Sequence, residues 1–350
     1  MTRHWLLAAV ALLAAPASAN MASPVAPGSP AGEPTAALSG LRIAREVLTI
    51  DLGPLAQRRP LAVVEAEYRI VNRGEARTVP LDFLALGEGV DQAQVWLNDQ
   101  PVTAARVDSL AVPALWRVAS QTPALDGDPS PYETDDGFGT PTGFRFAVTI
   151  PSGQHSIRVA YRVRMGSYDD GGHPNRVWQF AYSLAPARLW AGFDQLDLHV
   201  EVPDGWDVAT SLPLRADGDA LVGRFPGVPG DVLAISARAP APTLAVPLRL
   251  LAVLVPVVFI AFVGIVAGRL AAGSGKPVWS AAPGALIGGV MAAAAFVVLS
   301  GVAADLGDSS AHGYSAIVSL VMLWGPVVLV AATLLTFGVA ALVRRQRRAP

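Results

Sequence analysis

Three apolar stretches occupy the last third of the chain, at about 250–268, 283–303 and 317–343, with no Asp, Glu, His, Lys or Arg near any midpoint. Each is at or above the roughly twenty residues that carry a helix across hydrocarbon. A backbone in lipid finds no water to bond, so stretches of this kind fold as helices. The expectation is a C-terminal bundle of three transmembrane α-helices, and whatever lies upstream folds with that anchor attached. The third stretch is long enough to tilt, and Pro326 after Gly325 can kink it.

The other end of the chain says on which side of the membrane the rest belongs. MTRHWLLAAVALLAAPASAN places Arg3 before an apolar stretch from Trp5 to Ala15 and then Ala17-Ser18-Ala19. That is a signal peptide over residues 1–19, cut before Asn20. An uncleaved signal anchor is the rival, but an apolar stretch of about eleven residues falls short of the roughly twenty that span. Export makes the first span run from outside to inside. Arg269 and Lys276 then lie in the cytoplasm, Asp305, Asp308 and His312 outside, and Arg344, Arg345, Arg347 and Arg348 in a basic cytoplasmic tail, 344–350, as the positive-inside rule requires. Arg249 at the outer end of the first span is the exception, and Trp279 and Tyr314 fall where interfacial aromatics sit. The expected setting is a bacterial cytoplasmic membrane, crossed several times, with the upstream region outside.

That upstream region is strand-like. Residues 20–40, rich in Pro, Ala, Ser and Gly, have too little apolar surface to order themselves and read as a flexible leader. Between 41 and 240, apolar and polar residues alternate. Val64, Ala66, Tyr68 and Ile70 oppose Glu65, Glu67 and Arg69. Phe144, Phe146, Val148 and Ile150 oppose Arg145 and Thr149. Ile157, Val159, Tyr161 and Val163 oppose Arg158, Arg162 and Arg164, and Leu196, Leu198, Val200 and Val202 oppose Gln195, Asp197, His199 and Glu201. Asn72-Arg73-Gly74, Asn98-Asp99, Pro151-Ser152-Gly153, Pro203-Asp204-Gly205 and Asp217-Gly218 supply turns between the runs, as in a chain of hairpins. The expected fold is all-β, an antiparallel β-sandwich. It is either one composite region or two modules divided near 166–173, and residues 241–249 link it to the helices.

The tract VEAEYRIVNRG followed by VPLDF, and later IPSGQHSIRVAYRV, resembles the strand pairs of exported bacterial immunoglobulin-like modules. The resemblance covers about a third of the chain and implies an immunoglobulin-like style of sandwich outside the cytoplasm. It transfers no functional residue.

Charge and composition exclude several chemistries. A formal net charge of −2 with scattered Lys and Arg offers no field for nucleic acid. The chain has no Cys, so disulfides, thiolate metal sites and iron–sulfur clusters are out, and the β region is stable by packing alone. Polar residues inside the spans are Ser300, Ser319, Thr333 and Thr336, whose hydroxyls can bond the carbonyl one turn back. The acidic run with Asp126, Asp128, Glu133, Asp135 and Asp136 fails as an EF-hand, because Pro131 stands where the sharp-turn Gly belongs and Gly137 where the bidentate Glu belongs. It reads as a solvated loop. Asp169, Asp170 and His173 read as a polar turn, and His155 and His199 as surface residues. No catalytic constellation, metal site or cofactor site is expected.

Two features remain as binding candidates. The segment RVWQFAYSLAPARLWAGFDQ crowds Trp178, Phe180, Tyr182, Trp190 and Phe193 together, more rings than one small core takes, so they form a candidate binding surface. Gly264 with Gly268 and Gly284 with Gly288 form GxxxG pairs, the spacing that lets helix backbones approach closely within a chain or between copies. Three helices exceed what a tether needs. The expected role is an interaction or assembly subunit for a membrane or envelope protein, in contact with the bilayer and able to self-associate. The alternative is a sensor or transport accessory that binds a sugar, peptide or ion in an aromatic pocket around Trp178–Trp190.

Overall fold

The computed structural model describes residues 25–26, 31–32, 38–85, 90–108, 115–132, 142–169, 173–273, 282–306 and 325–348. The signal peptide, Glu133, Asp135, Asp136, Asp170, Lys276, Trp279, Asp308, His312, Tyr314 and Ser319 lie outside the described residues, as does 317–324 of the third expected span.

Two nine-stranded sheets make up the β region. The first runs β1 (Val25–Ala26), β13 (Gly166–Tyr168), β14 (Val177–Ser183), β2 (Ala31–Gly32), β5 (Arg77–Ala85), β11 (Thr142–Ile150) and β8 (Ala105–Val107), with β20 (Val232–Arg238) also on β14 and β17 (Asp207–Thr210) beyond it. The second runs β18 (Arg215–Asp217), β19 (Ala220–Pro226), β16 (Gln195–Glu201), β3 (Leu38–Asp51), β4 (Leu61–Asn72), β12 (Gly153–Arg164), β6 (Val90–Leu97) and β7 (Gln100–Val102), with β15 (Trp190–Phe193) beside β3. A small hairpin of β9 (Gln121–Thr122) and β10 (Ser130–Pro131) stands apart.

Period-two alternation decides which side chains meet between the sheets. Ala62, Val64, Ala66, Tyr68 and Ile70 of β4, Ile157, Val159, Tyr161 and Val163 of β12, and Phe144, Phe146, Val148 and Ile150 of β11 are all buried in one core. Rings from both sheets interlock there: Phe83 of β5 meets Tyr161 at 6.2 Å and Tyr68 at 6.4 Å. Each sheet draws strands from both sides of 166–173, so this core belongs to one composite region.

Three expectations need correction. The sheets are mixed rather than wholly antiparallel, since β3 runs parallel to β15 and β16, and β14 parallel to β2. Partners this far apart in sequence are joined by long crossovers, so no tight turn imposes antiparallel pairing. Of the five turns, Asn98-Asp99 closes the β6–β7 hairpin, both residues at positive φ (48° and 65°), and Asp217-Gly218 closes β18–β19. Asn72–Gly74, Pro151–Gly153 and Pro203–Gly205 instead carry the chain from one sheet to the other. Finally, Val25–Ala26 and Ala31–Gly32, within the stretch read as leader, are strands; Ala31 is fully buried between Tyr182 and Ala85. A small residue is what such a slot admits, which is why a stretch poor in large apolar residues still orders.

Beyond β20 the chain enters three long helices, Ala245–Gly273, Ala282–Leu306 and Gly325–Arg348, the first taking in the end of the expected linker. Among the described residues one stretch, Leu250–Leu270, is long and apolar enough to cross a membrane. The apolar run of the second helix is the shorter Leu286–Phe296, and the third ends in Arg344, Arg345, Arg347 and Arg348. The expectation of three spans is thus met by one.

Candidate functional site

The helices pack on one another through the two glycine pairs. A Cβ built on Gly264 would stand 3.0 Å from Leu335 Cδ2, and one on Gly268 2.8 Å from the Thr336 carbonyl oxygen and 2.9 Å from Val339 Cβ. On the second helix, a Cβ on Gly284 would lie 2.8 Å from Ala267 Cβ, and one on Gly288 2.8 Å from Val263 Cγ1. The first pair therefore receives the third helix, while the second pair receives the first helix. Both approaches are within the chain; at Gly268 the backbone of Thr336, and at the other three glycines a neighbour's side chain, occupies the space that a side chain would need. Thr336 is fully buried at this contact.

On the β region, the outer face of the second sheet carries a fixed charge cluster. Asp197, only 4% exposed, accepts hydrogen bonds from Arg45 Nε, from Arg224 Nε at 2.8 Å and from Gln195 Nε2 at 2.9 Å. Burial works against the charge, but the bonds from Arg224, Arg45 and Gln195 outweigh it and hold the carboxyl below the usual carboxylate range. The register continues this row across the sheet, from Arg224 and Asp197 through Val47, Glu67 and Arg158 to Trp96. At its end the Arg158 guanidinium lies 3.8 Å from the centre of the Trp96 ring. Period-two reading put Asp197 on the watery face, and the face is right. What it missed is the burial, which arises because arginines from β3 and β19 close over the carboxylate.

Where the chain leaves for the helices, two adjoining hollows of about 250 and 380 Å³ share Val202, Pro203, Asp219 and Ala220. Trp206 and Asp204 line the first, Asp51 and Glu201 the second, and Asp217 also lines the second. Among the described residues no group of three His, Cys, Asp or Glu is placed to hold a metal ion. His173 Nδ1 lies 3.1 Å from the Asn175 amide, whose proton it accepts, and His155 Nδ1 lies 3.1 Å from Asn98 Nδ2, so both serve turns. His199 is half-buried between Thr49 and Val222.

The aromatic segment is placed differently from its expected surface. Trp178, Phe180, Tyr182 and Trp190 are 8%, 1%, 0% and 5% exposed, and half-buried Phe193 packs against the same core. Trp190 stacks on Tyr68 at 6.4 Å. They form no open pocket. Two sheets of nine strands make a core wide enough for all of them, whereas a single small module would not. The opposite face of β14, with Val177, Gln179, Ala181 and Ser183, is buried as well, a feature that the sequence did not announce. Gln179 is the clue in retrospect: its Nε2 donates to Thr122 Oγ1 at 2.7 Å and to the Pro131 carbonyl at 3.0 Å.

The sequence matches no protein-family model and no curated protein. Among solved structures, the chain is similar to a Legionella pneumophila protein provisionally described as nutrient binding, at 15% identity and a TM-score of 0.42, over 61% of this chain and 72% of that one. It is also similar to an M1 zinc metallopeptidase from Deinococcus radiodurans, at 12% identity and a TM-score of 0.28, over 56% of this chain and 42% of the peptidase. Native leukotriene A4 hydrolase from Saccharomyces cerevisiae gives 10% identity and a TM-score of 0.31, over 57% of this chain and 29% of the hydrolase. At these values none of the likenesses bears on what this chain does.

Proposed function

We propose that the protein is a β-sandwich region held outside a bacterial cytoplasmic membrane by its C-terminal helices, the first of which, Leu250–Leu270, crosses the bilayer, and that it serves as an interaction or assembly subunit for a membrane or envelope protein. One observation carries the membrane part. Among the described residues, every exposed large apolar side chain except Leu115 lies at or beyond Leu244, including Leu254, Val257, Val258, Phe262, Leu286, Val298 and Leu334. Water tolerates apolar patches of a few hundred Å², not outward apolar side chains along three long helices. A bilayer is the solvent that such a surface fits. A crossing by Leu250–Leu270 from an outside β region brings Arg269 to the cytoplasm.

The assembly role rests on the helices being fastened to each other by four close glycine contacts, more structure than a passive tether uses. It also rests on an outer face of the second sheet whose charges are held in place by ion pairs, as a docking surface requires. Crosslinking the full-length protein in its native membrane, followed by mass spectrometry, tests the proposal. Links from both the β region and the helices to one other membrane protein are expected. Links only among its own copies, or a chain that alkaline carbonate strips from the membrane, would overturn it.

A further inference from the structure

The end of the β region from which the helices depart carries opposite charges on either side of Asp51. β3 ends there with Asp51 opposite Glu201 of β16. The chain after Glu201 turns against the exit of β20, so that a Cβ on Gly205 would lie 3.9 Å from Pro240 Cγ. After Asp51 a short helix, Gly53–Ala56, is closed by the Arg58 amide donating to the Leu55 carbonyl and the Arg59 amide to the Pro54 carbonyl. The Met165 amide, donating to the Pro60 carbonyl, pins this turn to the end of β12. The closure holds Arg58 at φ 59°, in the helix-end position that glycine takes without strain. Arg59 and Gln57 of the turn and Arg162 of β12 line a hollow of about 270 Å³, with Asp51 also in its wall. Asp51 is shared with the adjoining hollow of about 380 Å³, where Glu201, Asp217 and Asp219 stand. Among the described residues, Arg58, Arg59 and Arg162 have no carboxylate partner, and Glu201, Asp217 and Asp219 no cationic one.

We infer that this pair of hollows holds the zwitterionic headgroup of a bilayer lipid, phosphoethanolamine, with its phosphate at Arg59 and Arg162 and its ammonium at Asp51. The inference rests on the membrane anchoring proposed above. A guanidinium meets phosphate oxygens with paired N–H donors, and an ammonium donates to carboxylates. Asp51 Oδ1 accepts from the Gly53 amide at 2.6 Å, which fixes the carboxylate and leaves Oδ2 for the ligand. A free anion would be repelled by Asp51, whereas a zwitterion uses both signs. The basic hollow is smaller than the roughly 300–1,000 Å³ of a site for a drug-sized ligand, and suits a headgroup. The membrane is within reach, because the span begins at Leu250 and its helix at Ala245. Five residues of chain and five of helix keep Pro240 within about 25 Å of the hydrocarbon. Arg58, kept where glycine would relax the backbone, adds a third guanidinium on the same turn.

The test uses the full-length protein in nanodiscs of phosphatidylcholine containing equal amounts of phosphatidylethanolamine and phosphatidylglycerol, followed by native mass spectrometry. The protein should retain phosphatidylethanolamine in preference to phosphatidylglycerol. Arg162→Gln and Arg58→Gly should each lower that retention by about fivefold, the effect of one basic residue at a membrane surface. Asp51→Asn, whose amide oxygen still accepts from Gly53, should remove the preference between the two lipids. Glycine suits the backbone at 58, so Arg58→Gly should unfold at the parent's temperature or above, and its loss of lipid is then not a loss of fold. Equal retention of the two lipids by the parent, or unchanged retention in the variants, would overturn the site. Release of the retained lipid by millimolar inorganic phosphate would make it a site for free anions and overturn the lipid as its occupant. A protein that does not enter the discs would overturn the anchor and this inference together, whereas one that enters without these differences would overturn the headgroup site alone.

Discussion

Gly268 lies directly against the backbone of Thr336, close enough that a Cβ on the glycine would stand 2.8 Å from the threonine carbonyl oxygen. Backbone cannot swing aside as a side-chain tip can. Gly268→Ala should therefore force the first and third long helices apart at a cost of about 1–3 kcal/mol, the usual range for overpacking. Gly264→Ala meets the movable tip of Leu335 and should cost less. Gly338→Ala, with nothing within 4 Å, should gain about 0.8–1 kcal/mol from helix propensity. Thermal denaturation of the three variants in one detergent gives the order; a Gly268→Ala as stable as the parent would remove the close contact.

Asp197 makes stability depend on acid. Its folded carboxyl titrates below its unfolded value of about 3.9, so the unfolded state binds the proton first as pH falls. The stabilisation is fully present above that unfolded value and is lost as pH drops through the folded one. Asp197→Asn should be less stable than the parent by about 1–2 kcal/mol at neutral pH, low in the range for charged hydrogen bonds because Arg224 is largely exposed. The gap should close below pH about 4. Urea denaturation of both proteins from pH 7 to 3 checks the sign.

Trp190 and Trp96 should separate core from surface. Trp190, 5% exposed and stacked on Tyr68, should cost about 3–5 kcal/mol when changed to Ala. Trp96, half-exposed beneath Arg158, should cost about 1 kcal/mol or less. Chemical denaturation followed by circular dichroism reports both. A Trp190→Ala protein as stable as the parent would reopen the aromatic segment as a binding surface.

Ala31 tests whether the early strand is part of the sheet. It is fully buried between Tyr182 of β14 and Ala85 of β5, where a carboxylate finds neither water nor a place in the slot. Ala31→Asp should destabilise the β region by about 3 kcal/mol or more. Limited proteolysis of the full-length protein should then cut the region faster, and an unchanged digestion pattern would put residues 31–32 outside the fold.

Much of the β region could be read from the residues because one physical rule governs it. A strand puts alternate side chains on opposite faces, so Tyr68 and Ile70, or Phe144 and Phe146, declare their burial within their own segment. Glu46 shows where the rule stops. The irregular pairing between Ile43 and Arg45 shifts β3 by a residue, and Glu46 falls opposite Tyr68 and Leu196 on the core side, fully buried. Nothing local to the sequence carries such a shift. The burial of Gln179 was hidden for a similar reason, since the residues that cover it come from 57 and 48 positions earlier in the chain.

The sequence by itself determined the division of the molecule into strand-forming and helix-forming parts, because both follow from the period and length of apolar runs along a single segment. It also marked the four glycines at which helices meet, since only their spacing was needed. The tertiary structure alone decided which sheet each strand joins, that β3 runs parallel to β16, that Asp197 is sealed by Arg45 and Arg224, and that the crowded aromatic rings face inward. Those outcomes depend on contacts between residues far apart in the chain, and no local pattern of charge or hydrophobicity encodes which distant partner closes over a given side chain.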